Sequence, residues 1–71
     1  MGRKVVVKIP QLLEKEGLSL RALSYKTNIR HAALSELQNG KRKRIQFEHI
    51  ERIADALEID DIREIIDLED E

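Results

Sequence analysis

The residues with the most decisive chemistry in this 71-residue chain are the four consecutive cations Lys41, Arg42, Lys43 and Arg44. Four fixed positive charges on long, mobile stems neutralise phosphates, and they do so irrespective of the sequence to which those phosphates belong. A charge run by itself is ordinarily a solvated surface. Its position matters here, because it directly follows an apolar pattern of helical period that ends at Gly40. Arg21, one helix earlier, is a further phosphate candidate. Catalytic chemistry has little to work with. There is no cysteine, no glycine-rich phosphate loop and no Ser/His/Asp arrangement beyond chance. Two isolated histidines, His31 and His49, make no metal site. Carboxylates are plentiful but fall on the outer faces of expected helices. No catalytic residue, metal or cofactor is expected.

The elements that must position these cations begin at Ser19. Its side chain can N-cap a helix by accepting an orphan backbone N–H. Leu20, Leu23 and Thr27 then share one side at helical spacing, with small Ser24 beside them. Asn28 tolerates a left-handed backbone better than most non-glycines. Ile29 is an apolar plug, Leu34 and Leu37 resume the helical spacing, and Gly40 ends the second helix. Two short helices with one apolar stripe and a tight turn form a helix-turn-helix over about 19–40.

The stretch LSLRALSYKTNIRHAALSELQNGK resembles the Cro/C1-type helix-turn-helix of phage repressors and small bacterial regulators, the XRE family. The likeness rests on Leu23, Ser24, Asn28-Ile29, Leu34, Leu37 and Asn39-Gly40-Lys41, and it continues through Phe47–Leu57. It implies an all-α, lambda-repressor-like domain of five helices whose second motif helix enters the major groove. Carried over position by position, His31 and Ala32 are the first base-reading residues, with Ser35 and Glu36 one turn on. His31 can meet a purine edge, Ala32 a thymine methyl, and Glu36 a cytosine amino group. Phosphate contacts fall to Ser19, Arg21, Arg30, Asn39 and the run Lys41, Arg42, Lys43 and Arg44. Three positions depart from the family pattern: Leu20 for Gln, Ser24 for Ala and Asn28 for Gly. Leu20 deletes a polar group that commonly braces the recognition helix and touches a phosphate.

The rest of the chain reads as one domain, with a strand or arm over 1–8, a helical core over 9–66 and an acidic tail over 67–71. Arg3–Ile9 is β-branched and bounded by charge, which favours a short strand. Its partner is either Glu64–Leu68, so that the two ends pair, or a symmetry mate across a dimer; the alternative to both pairings is a frayed basic arm, with Arg3 and Lys4 as further phosphate candidates. Pro10 suits the start of a first helix over about 10–16 that ends at Gly17. A fourth helix over about 47–58 puts Phe47, Ile50, Ile53, Ala54 and Leu57 inward, and Glu48, Glu51, Arg52, Asp55 and Glu58 outward. A fifth starts near Asp61, with Glu64 completing an aspartate variant of the capping box and Ile62, Ile65 and Ile66 as its buried edge.

The formal net charge of −1 hides an asymmetry. Residues 1–44 hold eleven Lys/Arg and three Asp/Glu, a balance of +8; residues 45–71 hold two and eleven, a balance of −9. That division assigns one face to a polyanion and keeps another away from it. With no membrane-length apolar run and no secretory leader, the expected setting is cytoplasmic. The expected function is a transcriptional regulator, a repressor, that binds double-stranded DNA as a homodimer through Val5, Val7, Ile62, Ile66 or Leu68. RNA polymerase is then a second partner. Two other readings are an antitoxin that binds its own promoter and a toxin, and a protein-interaction scaffold without a DNA role.

Overall fold

A computed structural model describes residues 2–40 and 44–70. In chain order the elements are β1 (Arg3–Val7), α1 (Ile9–Glu16), α2 (Leu20–Thr27), α3 (His31–Gln38), α4 (Phe47–Leu57), a 3₁₀ turn (Ile62–Glu64) and β2 (Ile66–Asp70). The chain is therefore mostly helical, with four α-helices and a two-stranded antiparallel sheet in place of five helices. Of the expected acidic tail, Asp67–Asp70 lies in β2, and Glu71 is outside the described residues.

Local signals account for most of the boundaries. Ile9 and Pro10 open α1, where the missing proline N–H costs no helical bond. The helix closes at Gly17, which adopts φ 66°. The Leu18 N–H returns to the Leu13 carbonyl at 3.0 Å across that left-handed residue. No atom lies within 4 Å of where a Gly17 Cβ would sit, so backbone conformation rather than space requires glycine there. Glu58 ends α4 in the same conformation at φ 54°, with the Ile59 N–H bonded to the Ala54 carbonyl at 2.8 Å.

One core holds these elements together. Ile9, Leu12, Leu23, Ile29, Ala33, Leu34, Leu37, Ile53 and Ile65 are its buried side chains. Five of these nine belong to α2, α3 and the turn between them, so the core is centred on the helix-turn-helix. Val7, Ile50, Ala54, Leu57 and Ile66 pack against its rim. Phe47 does not join them, being 81% exposed. It occupies the first position of α4, and that opening turn projects past the packed face, so helical spacing alone overstates its burial.

The fifth helix is replaced because longer-range forces act on its residues. Asp61 caps only a single 3₁₀ turn, its Oδ1 accepting the Arg63 N–H at 2.9 Å. Glu64 does not complete a capping box; its carboxylate takes the Lys15 ammonium of α1. Ile65 is fully buried, Ile66 is half-buried and Ile62 is 53% exposed, an unequal outcome that one helix edge would not give. From Ile66 the chain pairs with β1 in the register Arg3–Asp70, Lys4–Glu69, Val5–Leu68, Val6–Asp67 and Val7–Ile66. Opposite charges stand across the sheet at its open end, and apolar pairs stand toward the core. Lys8 adds an ion pair to Asp67 at 3.4 Å. The strand thus pairs with the chain's own C-terminal segment, as the first of the two expectations for it required.

Two carboxyls in this segment are held below their usual range. Hydrogen bonds from the Arg63 side chain, then from its backbone N–H, lower Asp61 from 3.8 to about 2. Asp67 is lowered chiefly by the Leu68 N–H, with Lys8 assisting. A carboxyl with a depressed folded-state pKa contributes stability above its unfolded pKa and loses that contribution as pH falls. The melting temperature is therefore expected to drop as pH falls from about 4 toward 2. Asp61→Asn should flatten that dependence, as followed by circular dichroism; an identical profile in the variant would remove Asp61 from the account.

Candidate nucleic-acid interface

The geometry of α2 and α3 is set at the turn. Ser19 adopts an extended backbone, and its Oγ accepts the Ala22 N–H at 3.1 Å, which starts α2. Thr27 is 4% exposed, so its hydroxyl needs partners; it donates to the Leu23 carbonyl at 2.8 Å and accepts the Ile29 N–H at 3.3 Å. Asn28 closes α2 at φ 57°, the left-handed conformation the sequence requires of it. Ile29 is then driven into the core at 3% exposure, and its carbonyl accepts the Ser24 hydroxyl at 2.6 Å. Ser24, where the family pattern has Ala, thus makes a bond that alanine could not.

A further constraint arrives from outside the motif. Arg52 of α4 donates from Nη1 to the Asn28 carbonyl at 3.1 Å and pairs with Glu48 at 3.5 Å. Helical spacing assigns Arg52 to solvent, whereas the structure uses it to clamp the turn. Nothing local to residues 19–40 signals this contact; only the approach of α4 creates it.

On this frame α3 buries Ala33, Leu34 and Leu37 and turns its other side outward. His31, Ala32 and Glu36 are exposed and Ser35 is half-buried, at helical offsets that place all four along one face. Asn39 follows at the end of the helix, its Nδ2 3.5 Å from the Ser35 Oγ. The helix has no side-chain cap at Arg30, so its first-turn N–H groups are left for another acceptor.

The candidate phosphate contacts distribute around this face. Arg21, Tyr25, Arg30 and His31 border a cleft of about 520 Å³ between α2 and the start of α3. Tyr25, 84% exposed, brings a phenol to the two guanidinium groups. Its only sequence signal was its place one turn beyond Arg21, and sequence reasoning missed it. Ser19 is exposed beside its own cap, and Arg44 is exposed near Asn39 on a separate groove. Lys41, Arg42 and Lys43 lie outside the described residues.

The cations of the basic half divide into two sets. Lys8 and Lys15 are paired with Asp67 and Glu64 from the acidic half. Among the described residues, Arg21, Arg30 and Arg44 form no ion pair. Arg3, Lys4 and Lys26 are likewise in no ion pair among the described residues, so charge without an internal partner stands beside the exposed face of α3 and also at the open end of β1. No group of three His, Cys, Asp or Glu among the described residues can hold a metal ion, and no described helix is long and apolar enough to cross a membrane.

These features agree with an independent comparison. Residues 8–71 match the family model of the Cro/C1-type helix-turn-helix DNA-binding domain, and the chain belongs to that family. It is a helix-turn-helix DNA-binding domain. No curated protein and no solved structure matches it.

The left-handed turn residue supplies a direct check on this frame. Asn28→Ala should cost about 1 kcal/mol, because alanine lacks the tolerance of asparagine for positive φ. Asn28→Gly should leave stability nearly unchanged. Equal unfolding midpoints in urea for the alanine and wild-type proteins would contradict the observed turn.

Proposed function

We propose that this domain is a sequence-specific transcription regulator that represses by occupying an operator as a dimer. In this reading α3 lies in the major groove with His31 and Ala32 foremost and Ser35 and Glu36 behind them. His31 and Glu36 discriminate base edges by hydrogen bonding, while Ala32 offers an apolar contact. Arg21 and Arg30 hold phosphates on one side of the helix, with Ser19 and Tyr25 adding hydroxyl donors. Asn39 and Lys41, Arg42, Lys43 and Arg44 grip the backbone on the other. Bound DNA excludes RNA polymerase from an overlapping promoter.

The observation that carries this reading is the set of uncompensated arginines around an exposed α3 face. Phosphate contacts fix the register of a helix on the duplex, and base contacts then select the sequence. Dimerisation follows from scale. One eight-residue helix reads few base pairs, whereas two half-sites about 34 Å apart raise both affinity and specificity. The apolar side chains that the sheet and the 3₁₀ turn offer for it are Val5, Leu68 and Ile62, all more than half exposed, with Val7 and Ile66 at their inner margin; Phe47 of α4 is also exposed, at 81%.

The test is titration of a labelled random-sequence duplex at two salt concentrations. Wild-type binding should weaken steeply with salt. The variant with Lys41, Arg42, Lys43 and Arg44 all replaced by Ala should bind every sequence more weakly. Its log–log salt slope should be flatter by nearly one unit per contact removed. An unchanged slope would take the loop off the DNA. Absence of wild-type binding at low salt would leave the scaffold reading in its place.

A further inference from the structure

The phase of the β1–β2 ladder shows which backbone groups the sheet leaves over. The Lys8 N–H donates to the Ile65 carbonyl at 2.7 Å, and the register pairs Val7 with Ile66. In an antiparallel pair, hydrogen-bonded and non-hydrogen-bonded positions alternate. Lys4 and Val6 therefore point their N–H and C=O groups at β2, while Arg3, Val5 and Val7 point theirs away from it. On β2 the outward set is Ile66, Leu68 and Asp70.

The two free edges are not equivalent. At the centre of the β2 edge the Leu68 N–H is already taken by its neighbour, the Asp67 Oδ1, at 2.8 Å. Among the described residues, no bond outside the ladder reaches the Arg3, Val5 or Val7 backbone. Side chains sharpen the difference. Two β2 edges paired about Leu68 would set Asp67 against Glu69 twice, a like-charge pairing that destabilises sheets. Two β1 edges paired about Val5 set Arg3 against Val7 and Lys4 against Val6, with no like charges opposite.

We infer that β1 is the dimerisation edge, pairing antiparallel with β1 of a second copy about Val5 to give a four-stranded sheet in the order β2-β1-β1-β2. This deepens the dimeric reading above and rests on it. Arg3, Val5 and Val7 form a segment complementary to itself under a two-fold axis, so the assembly closes at two copies. Pairing β1 of one copy with β2 of the next would instead leave a free edge at each end and propagate.

The surroundings of β1 fit this occupant. Beside it runs a groove of about 830 Å³, lined by Val5 and Val7 and faced by Leu37 and Ile45. Gln38 also lines it. An incoming strand supplies donors to the edge carbonyls of Arg3, Val5 and Val7. The two-fold axis stands perpendicular to the sheet, so both helical bodies lie on the same face. Val5, 63% exposed and directly paired with Leu68, then meets Val5 of the second copy between those bodies, with the two Leu68 side chains flanking that contact on the outer strands.

Sedimentation of the full chain without DNA, over a wide concentration range, tests the inference with two variants. Val5→Pro deletes a donor that the intramolecular ladder does not use, at an edge position that tolerates proline. Val5→Lys places two ammonium groups opposite each other across the axis and keeps the backbone intact. The wild type should form a dimer, and each folded variant should weaken self-association by at least about tenfold. If Val5→Pro loses the circular dichroism spectrum of the fold, Val5→Lys decides. A wild type that stays monomeric, or a dimer that survives in the folded variants, overturns the assignment. The duplex titration separates the two levels: a monomer that binds DNA overturns this inference and the dimeric part of the reading above but leaves DNA binding through α3 standing, whereas absence of DNA binding overturns the function proposed above.

Discussion

The structure depends on how Ile29 is buried. This residue is inserted between two helices by a left-handed step at Asn28, and its backbone bonds back across that step to the hydroxyls of Ser24 and Thr27 in α2. The insertion fixes where α3 begins and which side of it faces inward. Leu34 and Leu37 then complete the core that Leu23 starts, and His31, Ala32 and Glu36 have no route except outward. This exposed row of small and polar residues is held rigidly because the opposite side of the same helix is packed. Arg52 adds a constraint from α4, so the turn is anchored by the body of the domain and not only by its own sequence.

Charge performs two separate tasks. The division of the sequence into a basic and an acidic half describes, in part, a folding interaction: β1 and α1 lend Lys8 and Lys15 to carboxylates of the C-terminal segment. Such exposed pairs are individually weak, and they serve chiefly to place two distant segments in one register. Among the described residues, Arg21, Arg30 and Arg44 receive no such compensation. The expectation of two opposed surfaces therefore does not hold at the sheet. At the sheet the halves are interleaved.

The helix-turn-helix was legible because its signals are local. Ser19 caps within three residues, Asn28 supplies its own backbone freedom, and Leu34 and Leu37 repeat at the helical period. The first helix and the first strand were legible for the same reason. The end of the chain was legible only in part: its pairing with the first strand was one of two expectations, but a fifth helix was expected where a 3₁₀ turn and β2 stand. Ile62, Ile65 and Ile66 fit a helical spacing better than the period of two of a strand, and the outcome is decided instead by pairing with residues nearly sixty positions earlier. Phe47 was misplaced because periodicity carries no information on where a helix leaves the core. Tyr25 carried no apolar or charged pattern to flag it, and the role of Arg52 exists only once α4 has docked.

The central claim is that the exposed face of α3, flanked by unpaired arginines, is where DNA binds. Its most direct test is to record amide chemical shifts of the labelled domain while a short duplex is added at low salt. The account predicts that shifts concentrate at His31, Ala32, Ser35 and Glu36, with neighbouring changes at Arg21, Tyr25, Arg30 and Arg44, while α1 and the solvent side of α4 stay still. A spectrum that does not move, or one whose changes fall on α1 and α4 instead, would contradict it.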